Sequence, residues 1–290
     1  MKQPLTLLAL VATLLLQTAC EPNKPAGATE DASALATEAE SSSGGSLESM
    51  LTGEHRSEKN AARDIWRHPV ETLEFFGVKE DSTVMEIWPG GGWYTEVIAP
   101  YLRDNGTYIA AGWDPESEIE FIRNGVAGYQ EKLDANPDVY DKVQMAVLMP
   151  PAKMEPVSAG SVDVIVTFRN IHNWMPRKQQ GNMLQAMYNA LKPGGVLGVV
   201  EHRGNADVPQ DPQAKTGYVN EQYAIDMIEA AGFVLVDKSE VNANSADTKD
   251  HPEGVWTLPP TLRLKEQDQD KYLGIGESDR FTLRFVKPAS

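Results

Sequence analysis

From about residue 51 onward the apolar positions alternate between two periods. Strands are predicted at "TVMEIW" (83–88), "TYIAAGW" (107–113), "VQMAVLM" (143–149), "VDVIVTF" (162–168), "GVLGVVE" (195–201), "FVLVDKS" (233–239) and "FTLRFV" (281–286). Several of these runs are apolar at successive positions, which suits strands covered on both faces. Between most of them the period becomes helical. Val97, Ile98, Tyr101 and Leu102 share one helical face. So do Met183, Leu184, Met187 and Leu191, stopped by "KPGG", and Tyr223, Met227, Ile228 and Ala231, ended by Gly232. A leading helical region, "NAARDIWRHPVETLEFFG", is interrupted near His68, because the residue before Pro69 is pushed out of the right-handed helical region. Strands alternating with helices predict a doubly wound, mostly parallel α/β sheet. No helical stripe fills residues 240–280, so the seventh strand is expected to run antiparallel to its neighbour.

The chain ahead of this body reads differently. Lys2 and the apolar run from Leu5 to Leu16 have the form of a signal segment, and that run is too short for a membrane-spanning helix. Cys20, the only cysteine, follows Ala19 where the run ends; this resembles the lipobox of bacterial lipoproteins, whose cysteine is lipidated. Residues 21–50 are rich in Ala, Ser, Glu and Gly without an apolar period and read as a disordered linker. The expected organisation is therefore a signal segment over 1–20, a linker over 21–50 and a folded domain over 51–290. The domain is placed on the periplasmic side of a bacterial membrane and tethered through Cys20. With no second cysteine the domain has no disulfide framework, so its core must supply its stability. The formal net charge of -16 argues against a nucleic-acid partner.

Candidate chemistry begins at "EIWPGGGWYTEV" (86–97), where an acid precedes three glycines and a predicted helix. Gly90, Gly91 and Gly92 lack a Cβ and let main-chain amides approach a ligand closely, next to the free N–H groups of a helix start. A dinucleotide fingerprint would need its third glycine at Thr95 and asks for no acid ahead of the turn. Asp114, at the end of the second strand, is placed to accept hydrogen bonds from ribose hydroxyls. The order of elements, the antiparallel last strand and the glycine turn after the first strand together resemble the class I, Rossmann-like, S-adenosylmethionine-dependent methyltransferases, over about residues 60–288. In that family an acid closes the first strand and glycines stand two, four and six positions later. Glu86 is the acid here, Gly90 and Gly92 fill the last two places, and Trp88 occupies the first. The resemblance implies S-adenosylmethionine as cofactor. Glu86 would face its ammonium group, Asp114 its ribose, and Phe168 and Asn170 in "VTFRNIHNW" would line its pocket. An acid just after the third strand is missing: "LMPPAKME" has prolines there, with Glu155 a distant candidate.

Methyl transfer needs an aligned nucleophile and, where that nucleophile is protonated, a base. His172 in "NIHNW", with Glu201 and His202 in "EHR", lie at strand ends where ligands bind in doubly wound sheets, and are the candidate catalytic residues. No short paired spacing such as HxxxH or CxxC indicates a metal site. Residues 203–223, with Tyr218 and Tyr223, and the segment carrying Trp256 and Arg280 are long connections suited to covering a pocket. The expected function is methyl transfer from S-adenosylmethionine to a small or amphipathic acceptor. The alternative is a non-catalytic envelope protein that binds a nucleoside-like or other small ligand on the same fold. Export sets these apart, because S-adenosylmethionine is made in the cytoplasm whereas the signal segment directs the domain outward.

Overall fold

The computed structural model describes residues 45–289. The signal segment, Cys20 and most of the proposed linker lie outside the described residues. Among the described residues no helix is long and apolar enough to cross a membrane. The strands are β1 (Thr83–Ile87), β2 (Thr107–Gly112), β3 (Gln144–Val147), β4 (Val162–Phe168), β5 (Leu191–His202), β6 (Val234–Ser239) and β7 (Arg280–Val286). The helices are α1 (Leu47–Met50), α2 (Glu58–Ala61), α3 (Asp64–Arg67), α4 (Pro69–Phe75), α5 (Thr95–Leu102), α6 (Glu120–Ala135), α7 (Pro137–Tyr140), α8 (Ile171–Trp174), α9 (Gln180–Ala190), α10 (Glu221–Ala230) and α11 (Gln269–Ile275).

The seven strands form one sheet in the order β3-β2-β1-β4-β5-β7-β6. All neighbours are parallel except those of β7, which runs antiparallel to both β5 and β6. The segment between β6 and β7 holds only a short 3-10 turn and the seven-residue α11, with no crossover helix to carry the chain back for a parallel strand. The chain leaves β1 toward β2 and β3, then returns to β4 on the other side of β1. A crevice therefore opens beyond the carboxyl ends of β1 and β4, where strand order reverses.

Side-chain alternation divides the core between the two faces of the sheet. Met85 and Ile87 of β1 join Ile165, Leu197, Leu283 and Phe285 beneath α9 and α10. Val84 of β1 joins Ala110, Val164 and Val166 beneath α4, α5 and α6. On that second face the Phe76 ring lies so close to Gly198 of β5 that a Cβ there would collide with it, so the site requires glycine for space. His68 adopts the left-handed conformation, with φ of 37°, and separates α3 from α4, consistent with the restriction imposed by Pro69.

Several strand ends shift by one or two residues from the sequence reading, and two boundaries differ by more. Leu47–Met50, placed in the linker, is helical, and Leu47 packs in the core at 4% exposure. Strand β5 starts at Leu191 rather than 195, because Leu191 already pairs with Val162 ahead of an irregularity in register.

Candidate functional site

The glycine turn is built by a run of left-handed residues. Trp88 has φ of 48°, Gly90 59° and Gly92 73°. Positions 88, 90 and 92 thus share one conformational demand, which explains why glycine suits each of them. At Trp88 an L side chain accepts that conformation, at a cost of about 1–2 kcal/mol. Its indole is held in compensation: Nε1–H donates to the carbonyl of Leu148 at 2.9 Å, and the ring meets Trp113 and Trp174 edge-on. Gly92 serves packing, since a Cβ there would meet Tyr129 at 3.0 Å and Lys132 at 3.1 Å on α6. Gly90 and Gly91 face open space instead, and among the described residues their amides have no hydrogen-bond acceptor. They form a bare main-chain wall that a ligand can reach.

Glu86 projects from β1 onto the face covered by α5 and α6, and it is buried. Tyr108 of β2 donates a short hydrogen bond to its Oε2, and the Thr95 hydroxyl, 2.8 Å from the Tyr108 oxygen and 3.0 Å from that of Tyr129, completes the network. Burial raises the Glu86 pKa to about 7; the hydrogen bond from Tyr108 offsets part of that shift. The carboxyl group therefore titrates near neutrality.

At the tips of β4 and β5 a second group assembles. Asn170 donates from Nδ2 to the carbonyl of Ile87 at 2.8 Å and ties the end of β4 to the end of β1. The Phe168 ring stacks on Tyr94 at 3.5 Å. His172, two residues after Asn170, is aimed by Glu201 of β5: Oε1 accepts from Nδ1 at 3.0 Å, and Oε2 accepts the His172 amide at 3.2 Å. A carboxylate is an acceptor only, so this contact calls for the proton on Nδ1, and in the neutral ring that tautomer presents the Nε2 lone pair on the opposite edge. Glu201 also accepts the His202 amide at 2.8 Å, and His202 Nδ1 lies 2.5 Å from the Ser278 hydroxyl. Burial, reinforced by the nearby positive groups, holds the His202 pKa well below the usual imidazole range, so its ring is neutral. Ligating atoms of His172, Glu201 and His202 all lie within 4.8 Å of one another, a donor set of metal-binding type. Linear spacing gives no sign of this group, because its members come from α8 and β5.

One cavity of about 400 Å³ brings most of these residues together. Glu86, Gly90, Gly91, Phe168, Asn170, His172 and His202 line it, and Trp256 covers it from the segment before β7, with its ring centroid 6.1 Å from that of His172. Glu201 stands behind His172, fully buried. Asp114 is not in this wall. It lies past β2 and pairs with Lys153 at 2.8 Å, a contact that lowers its pKa. Glu155 lines a separate hollow with Pro151 and Lys153. A further cavity of about 440 Å³ lies on the other side of the glycine turn, between Trp113, Gly125 and Tyr129. Of the cover residues, Tyr218 is buried and donates to Asp247 at 2.8 Å, while Tyr223 packs on the core.

Sequence reasoning did not single out Arg63, Arg67, Arg169 or Glu277, all of which line the 400 Å³ cavity together with Arg280. Glu277 accepts from Arg63 Nε at 2.6 Å, from Arg67 Nε at 3.2 Å and from Arg280. Only the position of Arg169, directly before Asn170, offered a signal.

Comparison with solved structures places this architecture. The [4+2]-cyclase SpnF superposes with a TM-score of 0.55 at 17% identity, covering 82% of this chain and 86% of that one. A SAM-dependent methyltransferase from Aquifex aeolicus gives 0.53 at 18% identity, covering 78% and 93%. Phosphoethanolamine N-methyltransferase 2 of Haemonchus contortus, solved with S-adenosyl-L-methionine, gives 0.50 at 15% identity, covering 77% and 53%. The chain has the class I methyltransferase fold. At these identities the likeness is one of fold, and the names span methyl transfer and a cyclisation. No family model matches the chain, and no curated protein matches it.

Proposed function

We propose that this protein transfers a methyl group from S-adenosylmethionine to a small or amphipathic acceptor held beside His172. One observation carries the reading: the open main-chain wall of Gly90 and Gly91, the Glu86 carboxyl group and His172, backed by Glu201, meet at one cavity where strand order reverses. The amino-acid end of the cofactor fits this donor set, with unpaired amides for its carboxylate and Glu86 for its ammonium group. Bound there, the cofactor supplies a methyl group already activated by its sulfonium. The protein contributes orientation and a base: His172 Nε2 accepts a proton from the acceptor while Glu201 holds the ring through Nδ1.

Two observations favour the second reading, a binder of a nucleoside-like or other small ligand without transfer. The Trp88 indole spans from the end of β1 to Leu148, beyond the end of β3, and narrows the ground between those strand tips. Asp114, the ribose candidate, is engaged by Lys153 and lies outside the cavity. An exported location and a lipid tether at Cys20 remain part of this proposal. Calorimetric titration of the full chain tests the reading. S-adenosylmethionine and its demethylated product are expected to bind, and Glu86→Ala to weaken both by about tenfold or more through loss of a charge-assisted contact. Absence of heat with both compounds refutes cofactor use. Binding without any conversion, across acceptors offered as amines, hydroxyls and thiols, selects the second reading.

A further inference from the structure

The cavity holds more positive charge than its own residues neutralise. Arg63, Arg67, Arg169 and Arg280 line it, and Glu277 is shared among three of them. The remaining carboxyl group in the wall is Glu86, which is half protonated near neutrality. Among the described residues, Arg63 Nη2, Arg67 Nη1 and Arg280 Nε are buried without a hydrogen-bond partner, and the Arg169 side chain makes no hydrogen bond or ion pair. Burial and the adjacent arginines push the Arg67 pKa well below its usual value despite Glu277, and lower that of Arg169 to about 10. Glu277 itself is held far below the carboxylate range by the same arginines. The arginine shifts come first from desolvation and then from mutual repulsion, and the Glu277 shift from the surplus of cations around it. Arg67 and Arg280 are buried, Arg63 and Arg169 half-buried, and one carboxylate serves three of the four; such a concentration of cations is costly without a further counter-ion.

We infer that this cluster is a binding site for a small anion carrying two or more negative charges, a phosphate monoester or a di- or tricarboxylate, presented to His172 in the same cavity. Guanidinium groups match both chemistries through paired N–H donors, and four from three segments, the α3 turn, the end of β4 and the start of β7, line one opening. S-adenosylmethionine does not satisfy the cluster, because its single carboxylate is outweighed by its ammonium and sulfonium groups. The compensating charge has to come from another molecule. As an identification of the methyl acceptor, the inference rests on the transfer reading above; as an anion site, it stands alone.

The test is a titration of the full chain at constant ionic strength in chloride, with inorganic phosphate, pyrophosphate, succinate and acetate as probes and calorimetry and thermal unfolding as readouts. Phosphate or pyrophosphate, or succinate, is expected to bind with a dissociation constant of roughly 1 mM or tighter and to raise the unfolding temperature, with acetate weaker by about tenfold. Which of the two classes binds identifies the source of the negative charge. Arg169→Gln is expected to weaken the favoured probe by about tenfold or more while leaving the anion-free protein no less stable, since it removes an uncompensated charge. Arg103→Gln, at an exposed pair with Asp141 remote from the cavity, is expected to bind as the wild type does. The inference is overturned if no probe acts beyond chloride, or if Arg169→Gln binds with unchanged affinity. Cofactor binding without anion binding overturns this inference alone, whereas anion binding without cofactor binding overturns only methyl transfer.

Discussion

Glu277→Gln is expected to lower the unfolding free energy by about 3–5 kcal/mol, the usual cost of removing one partner from a buried ion pair. Glu277 is 2% exposed and faces Arg63, Arg67 and Arg280 at once. The amide preserves shape and some hydrogen bonding but leaves three guanidinium groups without a countercharge. Urea unfolding measures the loss directly, and in a thermal melt it corresponds to a fall of roughly 10 °C for a domain of this size. The wild-type contribution also has a pH signature. The folded-state pKa lies below the unfolded value of 4.5, so the stabilisation is complete above that value and is lost as pH falls further. A loss below about 1 kcal/mol would show that the arginines are adequately solvated and that the cavity is not short of negative charge.

The second large effect runs in the opposite direction with pH. Glu86 keeps its proton in the folded protein up to about pH 7, whereas the unfolded chain releases it near 4.5. The folded state binds more protons between those values, so stability falls as pH rises through that window, by up to about 3 kcal/mol. Glu86→Gln removes this term. The difference between wild type and variant in urea midpoint at pH 5 and at pH 8 isolates it from other groups such as His202, whose lowered pKa acts with the contrary sign below 6.5. Identical pH dependence in the two proteins would mean that Glu86 is ionised throughout, its charge carried by Tyr108 and the arginines.

The sheet was legible in the sequence because strands buried on both faces leave uninterrupted apolar runs, and the run at 162–168 coincides with β4. The missing crossover before β7 was legible for the converse reason. Strand β5 was read short because Pro193 and Gly194 look like a loop, yet Leu191 is paired before them. At the site, the glycine turn and the His172–Glu201 pair could be found from their places at strand ends. The arginine cluster as a whole could not: Arg280 stood out only through its covering segment and Arg169 only through its place before Asn170, while Arg63 and Arg67 each resemble an ordinary surface charge among 26 basic residues. Only the packing of α3 and of the segment before β7 over the tips of β1 and β4 brings them together. The Asp114–Lys153 pair was illegible for a similar reason, since Lys153 comes from the proline-rich connection after β3.

The most direct measurement is a crystal structure of the full chain with the demethylated product of S-adenosylmethionine. Its amino-acid end is expected to lie against Gly90, Gly91 and Glu86, with its sulfur facing the side of the cavity that holds His172. Product bound elsewhere, or a cavity that excludes it while Trp88 keeps its contact with Leu148, would contradict the proposed cofactor site.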